Sequence, residues 1–206
     1  MNYFLAAQTE VGLKKSCNQD SVILKRAKFK GEEVCIGIIC DGMGGLSCGE
    51  LASKSIAEAF SEWFLYSYSK YEIIWDESKM REDIGSIISS ENEGLIRYGK
   101  EHGIYLGTTI TAFLLAGKRF FVWHVGDSRL YKISSSKIER LTNDHTVIAK
   151  EVAEGRLTEK EAKNDPKRNV LLQCIGATEQ VNPDMFCGEV KKGDILLLCS
   201  DGFRHE

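Results

Sequence analysis

The chain has 206 residues, 43% of them apolar and 28% charged, enough for one soluble globular domain with an ample core. Its formal charge of −3 provides no broad cationic surface, which disfavours nucleic acid and anionic lipid as partners. No apolar run approaches the roughly 20 residues of a membrane helix, and Met1 to Glu10 lacks the basic start and long apolar stretch of a signal peptide, so the cytoplasm is the expected compartment.

Tyr3 to Gln8 and Ser21 to Ala27 read as strands, separated by a polar loop that ends on Asp20. As a loop carboxylate, Asp20 either bonds nearby backbone amides or is brought beside Asp41 by the register of a hairpin. That hairpin turns at Lys28 to Gly31 and returns along Val34 to Cys40, a short apolar run with the β-branched content of a buried strand. The run stops on Asp41, followed by Gly42, Gly44 and Gly45, which permit a tight turn and a close backbone approach. Asp-Gly by itself is a common hairpin turn. Here, however, a capped helix follows: Ser47 and Glu50 form a capping box, and Ala52, Ile56, Phe60 and Trp63 recur at helical spacing to about Tyr66.

Ser67 to Lys79 has no clean period and reads as a connector, and Met80 to Glu101 reads as a second helix with Ile84, Ile87, Ile88, Leu95 and Tyr98 on one stripe. A meander of antiparallel strands follows at Thr108 to Ala116, Arg119 to Val125, Ser128 to Ser134 and Lys137 to Leu141. Gly126-Asp127 interrupts it, either as a bulge or as a third carboxylate at a strand junction. Residues 144 to about 168 are charged and helical, with a second capping box at Thr158 and Glu161, and Pro166 ends the segment. Such an insertion suits either a substrate-facing flap or a plain pair of surface helices. Asp184 to Val190 and Asp194 to Cys199 are expected to make a last strand pair, and Asp201-Gly202 repeats the strand-then-Asp-Gly pattern. The fold class is α+β: two mainly antiparallel sheets packed as a sandwich and flanked by helices in α-β-β-α layers, within a single domain spanning 1–206.

Asp20, Asp41, Asp127 and Asp201 all sit at expected strand ends, with no His or Cys at ligand spacing beside them. Hard oxygen donors without imidazole or thiolate select Mg²⁺ or Mn²⁺ over Zn²⁺ or Cu²⁺. His124, inside an apolar strand, reads as a hydrogen-bonded structural histidine. The seven cysteines contain no C-x-x-C pair, and those inside strand-like runs read as reduced core residues.

Asp41-Gly-Met-Gly-Gly, Gly107-Thr-Thr, Val125-Gly-Asp-Ser-Arg, Leu141-Thr-Asn-Asp-His and Leu197-Leu-Cys-Ser-Asp-Gly together resemble, in order and spacing, the motif set of the metal-dependent Ser/Thr protein phosphatases of type 2C. Met43 looks like the bacterial branch. The resemblance implies hydrolysis of phosphoserine and phosphothreonine in proteins by a metal-activated water at a binuclear Mg²⁺/Mn²⁺ centre, with two or three ions. Asp41 would bridge the metals, the Gly42 carbonyl and Asp20 would assist, Asp201 would hold one ion and Asp127 a third, looser one. Lys15 stands where the family usually has a phosphate-binding Arg. The implied partners are phosphorylated proteins including a Ser/Thr kinase, and a monomer without nucleic-acid or membrane partners is expected.

Three departures qualify the resemblance. Gln19 replaces an acidic residue, Lys15 offers a point charge in place of a planar fork, and the chain stops at Glu206, before a further family segment with a metal-binding Asp-Asn pair. The expectations are weak metal binding, low activity needing millimolar Mn²⁺ and a sheet position left unfilled. The alternative is a phosphatase-like binding module that has lost turnover.

Overall fold

A computed structural model describes residues 2–11, 16–44 and 48–204. In chain order the elements are β1 (Asp20–Phe29), β2 (Glu32–Gly44), α1 (Gly49–Glu62), α2 (Glu77–His102), β3 (Leu106–Thr108), β4 (Ile110–Ala116), β5 (Arg119–Val125), β6 (Arg129–Ile133), β7 (Ile138–Arg140), α3 (Val147–Ala153), α4 (Glu159–Ala162), β8 (Asp184–Glu189) and β9 (Ile195–Cys199).

β1 and β2 are joined through Lys30 and Gly31, both at positive φ, 48° and 85°. This is the mirror-image hairpin turn, whose twist matches that of the strands it joins. From there the ladder runs unbroken to its far end, where Asp20 lies directly opposite Asp41. The larger sheet continues in the order β1-β2-β4-β5-β8, with β3 pairing the distal end of β2, and all its pairings are antiparallel. A second antiparallel sheet has the order β7-β6-β9.

The strand period of two sorts the core into two layers. Val34, Ile36, Ile38 and Cys40 of β2, with Ile110, Ala112 and Leu114 of β4, meet Ala52, Ile56 and Phe60 of α1 and Met80, Ile84 and Ile88 of α2. The alternate residues Cys35, Phe113, Leu115, Phe120 and Val122 meet Leu130, with Leu196 and Leu198 packed against them, and so fill the space between the sheets. Because both faces are covered, every residue of β4 is buried. Each fully buried large side chain here contributes about 1.5–3 kcal/mol of transfer free energy. The two sheets and their helices match the expected α+β sandwich.

α2 has Asp76 as its N-cap, accepting from the Lys79 amide, and stops at Gly103 in the left-handed region. α1 departs from expectation at its C-terminal end. A π-helical turn occupies Trp63–Ser67 and a 3-10 turn Tyr68–Lys70. The wider turn is held by packing: Trp63, Phe64, Tyr68 and Tyr71 cluster around one another, and Asp83 accepts hydrogen bonds from Trp63 Nε1 (3.2 Å) and the Tyr71 hydroxyl (2.8 Å). α1 begins at Gly49 with Cys48 as its N-cap and no side-chain cap bond, and the expected cap Ser47 lies outside the described residues. The Thr158–Glu161 capping box forms in both directions.

Three expectations are corrected. The expected meander does not run on from β5 to β6: β5 pairs with β4 and β8, and β6 with β7 and β9, so the chain crosses between the sheets at Gly126-Asp127. Tyr3 to Gln8 makes no strand, because its apolar residues do not alternate: Phe4 is 98% exposed. Tyr3 is held singly, by Glu33 on its amide and by its hydroxyl donating to the Gly117 carbonyl. β8 and β9 do not pair with each other; β8 pairs with β5 and β9 with β6, so they lie in different sheets. Val190, buried between the sheets, and the turn at Lys191 to Asp194 carry the chain across the ~10 Å that separates stacked sheets.

Candidate metal centre

β2 delivers Asp41 to one end of the sandwich and fixes it by its backbone. The Asp41 amide donates to Thr109 Oγ1 (3.0 Å), while its carbonyl accepts from the Thr109 amide (2.9 Å) and the Thr108 hydroxyl (3.1 Å). The Gly107-Thr-Thr motif is therefore the clamp on the Asp41 backbone. Thr109 Oγ1 also touches Ser128 Oγ at 3.0 Å, which ties the clamp to the β5–β6 connection.

Next in the chain, the Gly42 amide donates to the Gln19 carbonyl at 3.1 Å. A Cβ at residue 42 would lie 2.5 Å from that oxygen and would also meet the Gly49 carbonyl at the start of α1. Only glycine fits between β1 and the helix. The Gln19 carbonyl also accepts from Ser53 Oγ (2.7 Å), and Gln19 Nε2 donates to the Gly44 carbonyl (3.3 Å). Gln19, where the resemblance leads one to expect an acidic residue, thus braces the glycine-rich end of β2 against β1.

The other carboxylates arrive from three directions. Asp20 shares a face with Asp41 because paired residues of neighbouring strands project to the same side. At the end of β9, Ser200 Oγ donates to Asp20 Oδ2 (2.8 Å), which brings the following Asp201 to the same place from the smaller sheet. Asp127 lies where the chain leaves the larger sheet, after Gly126 at φ +110°, where a Cβ would press into Thr109 Cγ2 at 2.5 Å.

These groups act on one another. Burial, then the negative charges of Asp20, Asp201 and Asp127, push the Asp41 carboxyl far above the ordinary carboxylate range, and a hydrogen bond with Asp201 raises it further. Among the described residues, the charged groups named as acting on Asp41 are carboxylates, and a hydrogen bond between two carboxyl groups requires a shared proton. All four aspartates are half-buried, so water and ligands reach them. Among the described residues no group of three or more His, Cys, Asp or Glu side chains stands ready-arranged around a metal ion. The donor chemistry nevertheless fits a hard divalent cation: the charges need a positive counterpart, and the imidazole nearest in sequence, His124, is occupied by Thr111 Oγ1 and the Asn143 carbonyl, at 2.9 Å each.

The remaining motif laces the centre from behind. Arg129 grips Asp144 with two hydrogen bonds (2.8 and 2.5 Å), and the Leu130 amide donates to Thr142 Oγ1 (3.1 Å). Asp20, Asp41, Gly42, Asp127 and Asp201 are thus gathered at one end, whereas Lys15 lies outside the described residues. From sequence, Thr108, Thr109, Ser128 and Ser200 figure only as members of the resembling motifs, with no role of their own; Thr109, expected inside one strand, instead separates β3 from β4.

Comparison with known proteins agrees with this geometry. Residues 11–206 match the family model described as Protein phosphatase 2C. A putative protein phosphatase 2C-type from Streptococcus pyogenes is 31% identical over 201 residues, 96% of this chain and 78% of the relative. Protein phosphatase PhpP of Streptococcus pneumoniae is 30% identical over 198 residues, 94% of this chain and 76% of the relative. The structure of the S. agalactiae serine/threonine phosphatase superposes with a TM-score of 0.81 at 32% identity, over 95% of this chain and 78% of that one. The catalytic domain of the phosphatase PstP, in complex with two manganese ions, gives 0.76 at 29% identity, over 96% of this chain and 76% of that one. With its five motifs folded into one interlocked end of the sandwich and the family model matching nearly its whole length, the chain belongs to the protein phosphatase 2C family.

Proposed function

We propose that this protein hydrolyses phosphoserine and phosphothreonine in other proteins, using Mn²⁺ or Mg²⁺ held by Asp20, Asp41, the Gly42 carbonyl and Asp201, with Asp127 beside a further ion. The observation that carries the reading is the convergence of three carboxylates on Asp41 from both sheets. Divalent ions at such a centre supply a bound water of lowered pKa and neutralise the phosphate, so no protein nucleophile is required. The Asp41 backbone, clamped by Thr108 and Thr109, fixes where its carboxyl projects from, and the carboxyl itself shares a hydrogen bond with Asp201. Ser200 orients Asp20.

A phosphate monoester resists hydrolysis strongly, which makes charge neutralisation by the site the largest demand on it. Lys15 is proposed to meet the phosphate as a point charge, and residues 144–168 to form a flap over the substrate, both on the family resemblance. The two manganese ions of the PstP structure support two ions here. The proposed substrates are phosphoproteins, a Ser/Thr kinase among them.

The test is release of phosphate from p-nitrophenyl phosphate and from a phosphothreonine peptide with Mn²⁺. Activity that is lost on chelation and restored by Mn²⁺ is expected, and turnover that survives a chelator overturns the metal reading. Lys15→Arg should lower KM, because a guanidinium adds a second parallel hydrogen bond. Unchanged kinetics in both Lys15→Arg and Lys15→Ala would remove Lys15 from the site.

A further inference from the structure

We infer that His145 is a positioning residue for the Asp127 turn, acting through one defined tautomer that Gln173 and Asp184 impose. The inference rests on the proposed metal role of Asp127.

The tautomer follows from a chain of hydrogen bonds. The Asn182 amide donates to Gln173 Oε1 (2.9 Å), and the Asn182 carbonyl accepts from Gln173 Nε2 (2.9 Å), so both ends of that side-chain amide are assigned. The second N–H of Gln173 Nε2 then points at His145 Nδ1, 2.8 Å away. The Gly126 amide donates to the same nitrogen at 3.2 Å. With two N–H donors aimed at it, Nδ1 must be the unprotonated nitrogen. The ring proton therefore sits on Nε2, which faces Asp184 Oδ2 at 3.3 Å.

The backbone completes the clamp. The His145 amide donates to the Gly126 carbonyl at 2.7 Å, so residue 145 holds both polar groups of Gly126, immediately before Asp127. The His145 carbonyl accepts from the Leu172 amide (2.8 Å), Thr146 bridges to Leu171, and the ring lies against His124 with centroids 4.7 Å apart. One residue thus joins the start of the helical segment (residue 145), its return (171–173) and the Gly126-Asp127 turn. The side chain is 13% exposed. His145 acts on the proposed ion through this turn, and outer groups that orient ligands typically change metal affinity about 10- to 100-fold when removed.

Two substitutions separate the two ring nitrogens. Asn places an oxygen near the Nδ1 position and keeps the acceptor for Gly126 and Gln173, whereas Gln reaches the Nε2 position and keeps only the donor toward Asp184. Mn²⁺ binding is measured by calorimetry on the full chain, with Asp127→Asn as reference and with thermal unfolding in the absence of metal. Asp127→Asn is expected to lose the weakest Mn²⁺ site, His145→Gln to weaken it about 10-fold, and His145→Asn to recover most of that loss. Equal weakening in the Asn and Gln variants, or no weakening in His145→Gln while Asp127→Asn loses the site, overturns the positioning role alone. Unchanged Mn²⁺ binding in Asp127→Asn overturns the metal reading of Asp127, and the inference with it. The unsubstituted protein gives a reading that needs no variant: long-range ¹H–¹⁵N correlation should show His145 protonated on Nε2, and an Nδ1–H form overturns the inference.

Discussion

Asp41 has two separable jobs. Its backbone makes three hydrogen bonds to Thr108 and Thr109, while its carboxyl is set against like charges. Asp41→Asn leaves the backbone bonds in place and relieves the repulsion. Its metal-free melting temperature should therefore equal or exceed the wild-type value while Mn²⁺-dependent hydrolysis falls by at least about 100-fold, beyond the usual effect of losing an outer group. Near-normal activity would refute a bridging role. Thr109→Val has the same shape but leaves the Asp41 amide without its side-chain acceptor, and burying an unpaired donor costs about 1–3 kcal/mol. Urea unfolding should show that loss, and no change in the midpoint would mean that the Thr109 amide and Thr108 suffice. Asp41 was legible in the sequence because a carboxylate that closes an apolar run is a local signal, although β2 itself runs on to Gly44. Its clamp was not, because Thr109 lies 68 positions away in the chain.

At the level of elements, glycines that look alike in sequence do different work. Gly103 ends α2 at φ +65° with open space where a Cβ would go, so Gly103→Ala meets only backbone strain and should cost about 1 kcal/mol. Gly42 is not in the left-handed region, yet a Cβ there has no room between Gln19 and Gly49, and Gly42→Ala should cost several times more than Gly103→Ala or prevent folding. Thermal unfolding of the two variants decides it, and equal losses would mean that the β1–α1 contact yields easily. α2 could be read from Ile84, Ile88 and Leu95 at helical spacing, which are buried as expected, whereas Tyr98 of the same expected stripe is exposed and stacks on His102. The π-turn of α1 could not, because Trp63 and Phe64 fit a helical stripe equally well. It is Tyr68, Tyr71 and Asp83 in the folded molecule that favour the wider turn.

For the molecule as a whole, His124 ties the larger sheet to the Asn143 connection, and burial, reinforced by the nearby His145, lowers its pKa from 6.5 to about 4. The Asn143 carbonyl, Asp184 and Asp144 oppose that shift without cancelling it. As pH falls, the unfolded chain takes up the proton first, so the contribution is complete above about 6.5 and is lost progressively down to about 4. The amount is of order 3 kcal/mol. Guanidinium midpoints at pH 7 and 4.5 should therefore drop more in the wild type than in His124→Gln, and equal drops would assign the acid sensitivity elsewhere. By itself the sequence determined most of the strands, the long helices and the four carboxylates, because periods of 2 and 3.6 and a hairpin register are properties of neighbouring residues; it did not show that Tyr3 to Gln8 forms no strand, or that β2 runs past Asp41 to Gly44 and pairs there with β3. The hairpin register alone sufficed to set Asp20 against Asp41. Only the tertiary structure decided that β8 and β9 part into different sheets, that Ser200 therefore reaches Asp20, and that the Asp127 turn is gripped by His145, since these contacts depend on how two sheets stack and not on any local pattern.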